Sequence, residues 1–334
     1  MEEFITLNHG AGGKQTSELI DKVFKKHFEN PCLTSDDASV LSVGNEKIAF
    51  TTDGFIVSPY KFNGGNIGKL SICGTVNDLA CMGAEPLYIA TAFVIEEGFP
   101  ISELEEITSY MEKTAAEAGI KFAAGDTKVA GKGQVDKIFI TTTGIGRITQ
   151  RVNLSGANAK PGDKVIVTRD IGRHGSAILI ARNEFGIDSD IKSDCAPLWG
   201  TVKDMLSVSE NIHTIRDSTR GGVGTVLYEI AGQSNAGIVL DEDKIPVDGK
   251  VSGLCGMLGL NPLYLACEGT LVVICPPEDA DKLIETLYKG EYSENAAVIG
   301  EVVSDYPGKV IMNTEIGSQT LLPEPQGELL PRIC

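Results

Sequence analysis

Six aspartates, Asp36, Asp37, Asp53, Asp78, Asp126 and Asp217, form a candidate set, most of them beside a glycine or at a strand end. Carboxylate oxygens suit a hard cation such as Mg2+, which bridges carboxylates to phosphates. Read one at a time, each Asp is a turn former, because its side chain bonds nearby backbone. Gathered around one nucleotide, they let an acidic protein hold ATP through the cation. Asn77 and Asp78 sit inside a helical pattern, where both residue types are poor formers. Burying them there needs a partner, and a metal ion is one.

Two glycine-rich turns open helices and offer backbone N–H groups to phosphate. The first is His9-Gly10-Ala11-Gly12-Gly13-Lys14 and the second Asp217-Ser218-Thr219-Arg220-Gly221-Gly222-Val223-Gly224. Neither is a standard nucleotide motif. A Walker A loop needs Gly where Asn8 stands and Ser or Thr where Gln15 stands. A dinucleotide fingerprint counted from Gly222 and Gly224 needs Gly where Leu227 stands. Lys128, in Gly125-Asp126-Thr127-Lys128, is a cation suited to phosphate charge; its alternative is a solvated loop lysine. Glu268 lies between Leu265-Ala266-Cys267 and Leu271-Val272-Val273. Desolvation there is expected to raise its pKa toward that of a general base; the alternative is a strand-edge carboxylate. Cys334 stands after the Pro-punctuated run Leu322-Pro323-Glu324-Pro325-Gln326-Gly327, which is expected to be extended. Stretched out, Gly317–Cys334 spans roughly 55 Å. A thiol on such an arm can be loaded at one place and processed at another; the alternative is a frayed terminus.

Alternating strands and helices must position these groups. Leu19, Ile20, Val23 and Phe24 share a helix face, and Gly64-Gly65-Asn66 opens a helix through Ile67, Leu70, Val76 and Leu79. Strands are expected at Leu87–Ile95, Ile120–Ala124 and Asp136–Ile148, with Ser102 and Glu105 as a capping box for the helix between the first two. The polar stretch Asn153–Pro161 marks a domain boundary, giving residues 1–155, 156–316 and a tail, 317–334. Beyond it come further strands at Lys164–Thr168, Gly237–Leu240, Gly269–Ile274 and Ala297–Val303, with helices between. Leu87–Ala124 and Thr270–Val303 share one strand–helix–strand plan, a duplication of pattern rather than of residues. The fold class is α/β (α+β) in two domains.

With 334 residues, 42% of them hydrophobic, the chain has room for two cored domains. Its net charge of −17 argues against nonspecific binding to nucleic acid or anionic membrane. No segment approaches the ~20 apolar residues of a membrane span, and none of the eight cysteines forms C-x-x-C. Reduced thiols in a cytoplasm are expected. His174 and His213 lack partners at metal-ligand spacing and read as structural or surface.

Ser35-Asp36-Asp37-Ala38, Thr51-Thr52-Asp53-Gly54, Val76-Asn77-Asp78-Leu79-Ala80, Gly125-Asp126-Thr127 and Arg216-Asp217-x-Thr219-Arg220-Gly221-Gly222 resemble an ATP-binding superfamily. Its members include aminoimidazole ribonucleotide synthetase, selenophosphate synthetase and thiamine-monophosphate kinase. Within it, His9-Gly10-x-Gly12-Gly13, Gly64-Gly65-Asn66-Ile67-Gly68-Lys69-Leu70, Lys128-Val129, Glu268-Gly269 and Pro331-Arg332-Ile333-Cys334 resemble the carbamoyl dehydratase family of nickel–iron hydrogenase maturation. The resemblance covers essentially the whole chain. Ala11, where relatives often carry Ser, removes one hydroxyl from the first turn.

The resemblance implies a PurM-like fold whose N-terminal domain forms a β-barrel at a homodimer interface, beside a C-terminal α/β domain and a flexible tail. It implies ATP at His9, Gly10, Gly12, Gly13, Asp36, Asp37, Asp53, Asn66, Asn77, Asp78, Asp126, Thr127, Asp217, Arg220, Gly221 and Gly222. Mg2+ falls to Asp36, Asp53, Asp78, Asp126 and Asp217, and catalysis to Cys334, Lys128 and Glu268. A HypF-type carbamoyltransferase loads the Cys334 thiol as an S-carboxamide, ATP dehydrates it to a thiocyanate, and the cyano group passes to iron on a HypC–HypD-type scaffold. Two other readings stand beside this one. A kinase or synthetase acting on a small free substrate needs no tail, and an ATP-sensing assembly factor carries the thiol without turnover.

Overall fold

The computed structural model describes residues 4–148 and 152–324. The chain enters through Lys14–Leu19 (α1), a π-helical turn at Ile20–Phe24, and Lys25–Phe28 (α2). Then follow Ser39–Val43 (β1), Glu46–Phe55 (β2), the short pair Lys61–Phe62 (β3) and Gly65–Asn66 (β4), Ile67–Cys81 (α3), Ala84–Glu96 (β5), Ile101–Ala118 (α4), Lys121–Ala130 (β6) and Ile138–Ile148 (β7). The five long strands make one sheet in the order β1-β2-β7-β5-β6, antiparallel except for β5 and β6, which α4 connects in parallel.

Helix α3 is the pillar of this half. Its residues are apolar almost all round, and every residue from Ile67 to Cys81 is buried except Lys69. A helix of that kind must be enclosed; it packs on the sheet and on α4, with Ile72, Val76, Leu79, Ile89, Ile107 and Ile140 in one core. Asn66 fixes where it begins, accepting from the N–H groups of Gly68 (2.9 Å) and Lys69 (3.1 Å). The expected Ser102 cap on α4 is replaced. Pro100 is the cap residue, with no side-chain cap bond, and helix starts at Ile101. Its φ of −65° already suits the turn into the helix, so Ser102 falls inside the first turn.

The second half contains Lys164–Val167 (β8), Arg173–Arg182 (α5), Trp199–Val208 (α6), Thr214–Asp217 (β9), Gly222–Ser234 (α7), Gly237–Asp241 (β10), Gly249–Leu258 (α8), Leu271–Cys275 (β11), Pro277–Leu287 (α9), Ala297–Val303 (β12), Val310–Asn313 (β13) and Gln319–Leu321 (β14). Its sheet runs β14-β13-β10-β12-β8-β11-β9. Strand pleating sends Val165 and Val167 toward α7, and Ile166 toward α6 and α9, so both faces are covered. The shared strand–helix–strand plan is present in both halves, with a difference. β5 and β6 are direct neighbours, whereas β8 lies between β11 and β12. Gln319–Leu321, inside the expected tail, pairs with β13, and Leu322 is buried. Among the described residues no helix is long and apolar enough to cross a membrane.

Candidate active site

The two halves meet over a cleft of about 340 Å³. Leu70, Gly74 and Asp78 of α3 line it because residues four apart share a helix face. Asp37 reaches it from the loop before β1, Asp53 from within β2, and Asp217, Thr219 and Arg220 from the end of β9 and the turn after it. Gly12 and Gly13 close one side, and Glu268 and His174 another. The two glycine-rich turns touch each other: a Cβ on Gly12 would meet the Arg220 carbonyl oxygen at 3.2 Å.

Burial raises the pKa of Asp37, Asp53, Asp78 and Asp217, and for Asp78 and Asp217 the neighbouring carboxylates push it higher still. Thr51 Oγ1 donates to Asp78 Oδ2 at 2.6 Å. One cation is built into the wall. Arg216 Nε donates to Asp37 Oδ1 (2.5 Å) and Nη2 to Glu229 Oε2 (2.8 Å). Burial works against the Arg216 charge, yet Asp37, Glu229 and Asp217 outweigh it and raise the Arg216 pKa. Asp37 Oδ2 remains buried with no hydrogen-bond partner among the described residues. An oxygen-only, mutually repelling set with an orphaned carboxylate oxygen fits Mg2+ shared with a polyphosphate. Among the described residues no three His, Cys, Asp or Glu side chains already form a metal centre. Phosphate and water oxygens would have to complete the shell.

Glu268 is 7% exposed, and its pKa is raised well above its ordinary value, by burial first and then by Cys195, Asp217, Asp194 and Asp53. Its backbone is held from below: Asp194 Oδ1 accepts from Glu268 N (3.2 Å), and Oδ2 from Gly269 N (3.1 Å) and Thr270 Oγ1 (3.2 Å). Asp194 had no signal in the sequence, sitting in an ordinary polar stretch. His174, read as structural or surface, is fully buried and lines the cleft. Nδ1 is 2.8 Å from Ser193 Oγ, and Nε2 has no partner among the described residues. Burial lowers its pKa to about 3, so it is a neutral imidazole.

Other expected site residues lie elsewhere. Asn77 does not need a metal partner. Its Nδ2 donates to the carbonyls of Ala196 (3.1 Å) and Glu268 (3.3 Å), and its Oδ1 accepts from Leu198 N (2.8 Å). Asp36 Oδ1 accepts from Gly156 N (3.0 Å) and does not line the cleft. Asn66 is the α3 cap, and His9 Nδ1 accepts from Thr6 N at 3.1 Å within the entry turn. Gly10 is off the cleft wall, and Gly221 and Gly222 shape the start of α7 rather than its lining. Gly125-Asp126-Thr127-Lys128 is not a loop: it continues β6, with Asp126 opposite Ala92 and Lys128 opposite Val94. Pairing with β5 overrides the turn-forming residues. Lys128 is exposed there and holds Asp126 at 2.8 Å, outside the cleft, lowering the Asp126 pKa. Cys334 lies outside the described residues.

Two α/β halves around an acidic, arginine-braced cleft define a two-domain AIR-synthase-type protein. Residues 35–148 match AIR synthase related protein, N-terminal domain, and residues 160–313 its C-terminal domain. The carbamoyl dehydratase HypE of Cupriavidus necator is 43% identical over 332 residues, covering 99% of this chain and 95% of the relative. A solved HypE–HypF complex contains a chain 45% identical to this one, with a TM-score of 0.88, covering 92% of this chain and 99% of that one. A HypE solved in complex with ATP is 42% identical, with a TM-score of 0.83 and coverage of 99% and 100%. The chain belongs to the HypE carbamoyl dehydratase family.

Proposed function

We propose that this chain is an ATP-dependent carbamoyl dehydratase that turns the S-carboxamide on its own Cys334 into a thiocyanate, the source of a cyanide ligand for a nickel–iron hydrogenase. The observation that carries this is Glu268, a desolvated carboxyl lining the same cleft as the aspartate and arginine wall. The oxygen of a carboxamide is a poor leaving group. Transfer of the γ-phosphoryl group to it breaks the bond between the β–γ bridging oxygen and the γ-phosphorus and makes a phosphate leaving group. The nitrogen then gives up its two protons, the C–O bond breaks, and C≡N forms; ADP and phosphate are released. Glu268, in its carboxylate form, takes one proton from nitrogen, its raised pKa giving it the affinity to hold it, and the departing phosphate takes the other. The turns at Gly12 and Arg220 orient phosphate oxygens from opposite sides. Asp53, Asp78 and Asp217 would hold Mg2+, which would supply positive charge to offset that on the transferred phosphoryl group.

Asp126, Thr127 and Lys128 join this site from a second copy. Supporting a homodimer, Phe50 and Tyr88 are exposed on one face of the first sheet, both opposite Ile145, and β6 is its edge strand. The HypE–HypF complex of a relative supports a HypF-type carbamoyltransferase as the protein that loads the thiol. A HypC–HypD-type iron scaffold is the acceptor, and the cytoplasm the setting, in keeping with seven free cysteines among the described residues. Residues 1–155 and 156–316 are the two domains, and 317–334 carries the thiol.

Intact mass spectrometry tests the reading. Loading with carbamoyl phosphate, ATP and the carbamoylating partner should add about 43 Da, and MgATP should then remove about 18 Da. Glu268→Gln should still bind ATP and gain the first mass but not lose the second. Full mass loss in that variant excludes Glu268 as the base.

A further inference from the structure

The entrance helix carries an apolar stripe that its own subunit leaves uncovered. Ile20, Phe24 and Phe28 recur every fourth residue and are 39%, 45% and 64% exposed. The rings of Phe24 and Phe28 stack with centroids 6.3 Å apart. Ile20 also lines the cleft, alongside Ser17 and Ile56, so the stripe runs outward from the mouth. An apolar track of this kind marks a contact surface.

The far end of the chain supplies an occupant. The Tyr228 hydroxyl donates to the Leu322 carbonyl and the Tyr264 hydroxyl to the Pro323 carbonyl. Leu322 is buried, and its N–H donates to the Val310 carbonyl at 2.9 Å. The Tyr264 ring lies against Gly224, where an added Cβ would meet it at 2.7 Å. Val226, two residues further along α7, lines the cleft. The root of the arm is therefore fixed against Tyr228 and Tyr264 beside α7, the helix whose Val226 lines the cleft. Ten residues, Pro325–Cys334, remain beyond the described chain, and they reach about 35 Å when extended.

We infer that when the Cys334 sulfur is beside Glu268, Leu329, Leu330 and Ile333 lie along the Ile20–Phe24–Phe28 stripe of the same subunit. This rests on the reading that Cys334 carries the reacting group. Spacing favours it. Ile20 to Phe28 covers about 12 Å of helix, and Leu329 to Ile333 about 13 Å of extended chain. With the thiol inside, Ile333 crosses the mouth beside Ile20, and the two leucines follow outward past Phe24 and Phe28. Charge agrees: the helix ends in Lys25, Lys26 and His27, and Glu328 precedes the leucines. The second copy is assigned to the open sheet face instead.

The test uses the full chain, carbamoylated on Cys334, with a photo-crosslinking benzophenone side chain in place of Leu330 and light and heavy subunits mixed. With Mg2+ and a non-hydrolysable ATP analogue, crosslinks should fall between Ile20 and Phe28 of the same subunit. Crosslinks between light and heavy subunits, or to the β6 face, overturn the inference. In single turnover, the double variant Phe24→Ser/Phe28→Ser should bind ATP as the unaltered chain does but lose the 18 Da about ten-fold more slowly. Adding Leu330→Ser should slow it little further. An unaffected double variant overturns the docking alone, whereas an unaltered chain that never loses the 18 Da removes the reading beneath it.

Discussion

The two glycine-rich turns read alike along the chain and are built differently. At the start of α7, Gly222 has φ +61°, and an added Cβ would sit 2.5 Å from the Leu265 carbonyl oxygen and 2.6 Å from that of Leu263. The backbone there is wedged into a core. At the start of α1, Gly12 has φ +82° but meets only Arg220, and Gly10 has nothing within 4 Å. The helix behind it has six residues before it widens into a π turn, and none of Lys14–Phe28 is fully buried. One turn is a fixed wall, and the other is held mainly by what lies against it. A glycine pattern thus reports that backbone comes close to something, without saying whether that something is protein or ligand.

That contrast can be broken by substitution. Gly222→Ala should be the most damaging, costing about 3 kcal/mol, because positive φ and a backbone clash coincide; an unchanged melting temperature would show that the wall can yield. Next is the effect of pH. Asp37, Asp53, Asp78, Asp217 and Glu268 all hold protons more tightly folded than unfolded. Their stabilisation is complete below the unfolded carboxylate range, about pH 4, and is lost as pH rises through the raised values. Without nucleotide or Mg2+, the melting temperature should fall as pH rises above that range, and MgATP analogue should flatten the fall. Scanning calorimetry decides it; a curve indifferent to both sinks the acidic-wall account. Gly12→Ala should leave melting nearly unchanged while weakening ATP by about ten-fold, a strain of about 1.4 kcal/mol on the bound turn. Gly10→Ala should change neither by more than about 0.5 kcal/mol.

What could be read from residue order was local. The Asn66 cap, the buried run of α3 and the desolvation of Glu268 all follow from neighbours within a few positions. What could not be read was satisfied at a distance. Asn77 looked like a ligand because a mid-helix amide is costly to bury alone; its partners are backbone groups 119 to 191 residues away. Gly125-Asp126-Thr127-Lys128 looked like a turn until β5 paired with it. His174 had no pattern to announce it, since its place in α5 depends on the Phe62 ring of β3, 5.2 Å away, and on Ser193.

The bonds of Asn77 have a mechanical consequence. They rivet α3 of the first half to the backbone around Ala196 and Glu268 of the second, so the cleft cannot work like a hinged jaw. Under the proposed chemistry, cargo would enter and spent phosphate would leave past a doorway whose loose jamb is the exposed entrance helix, residues 14–28.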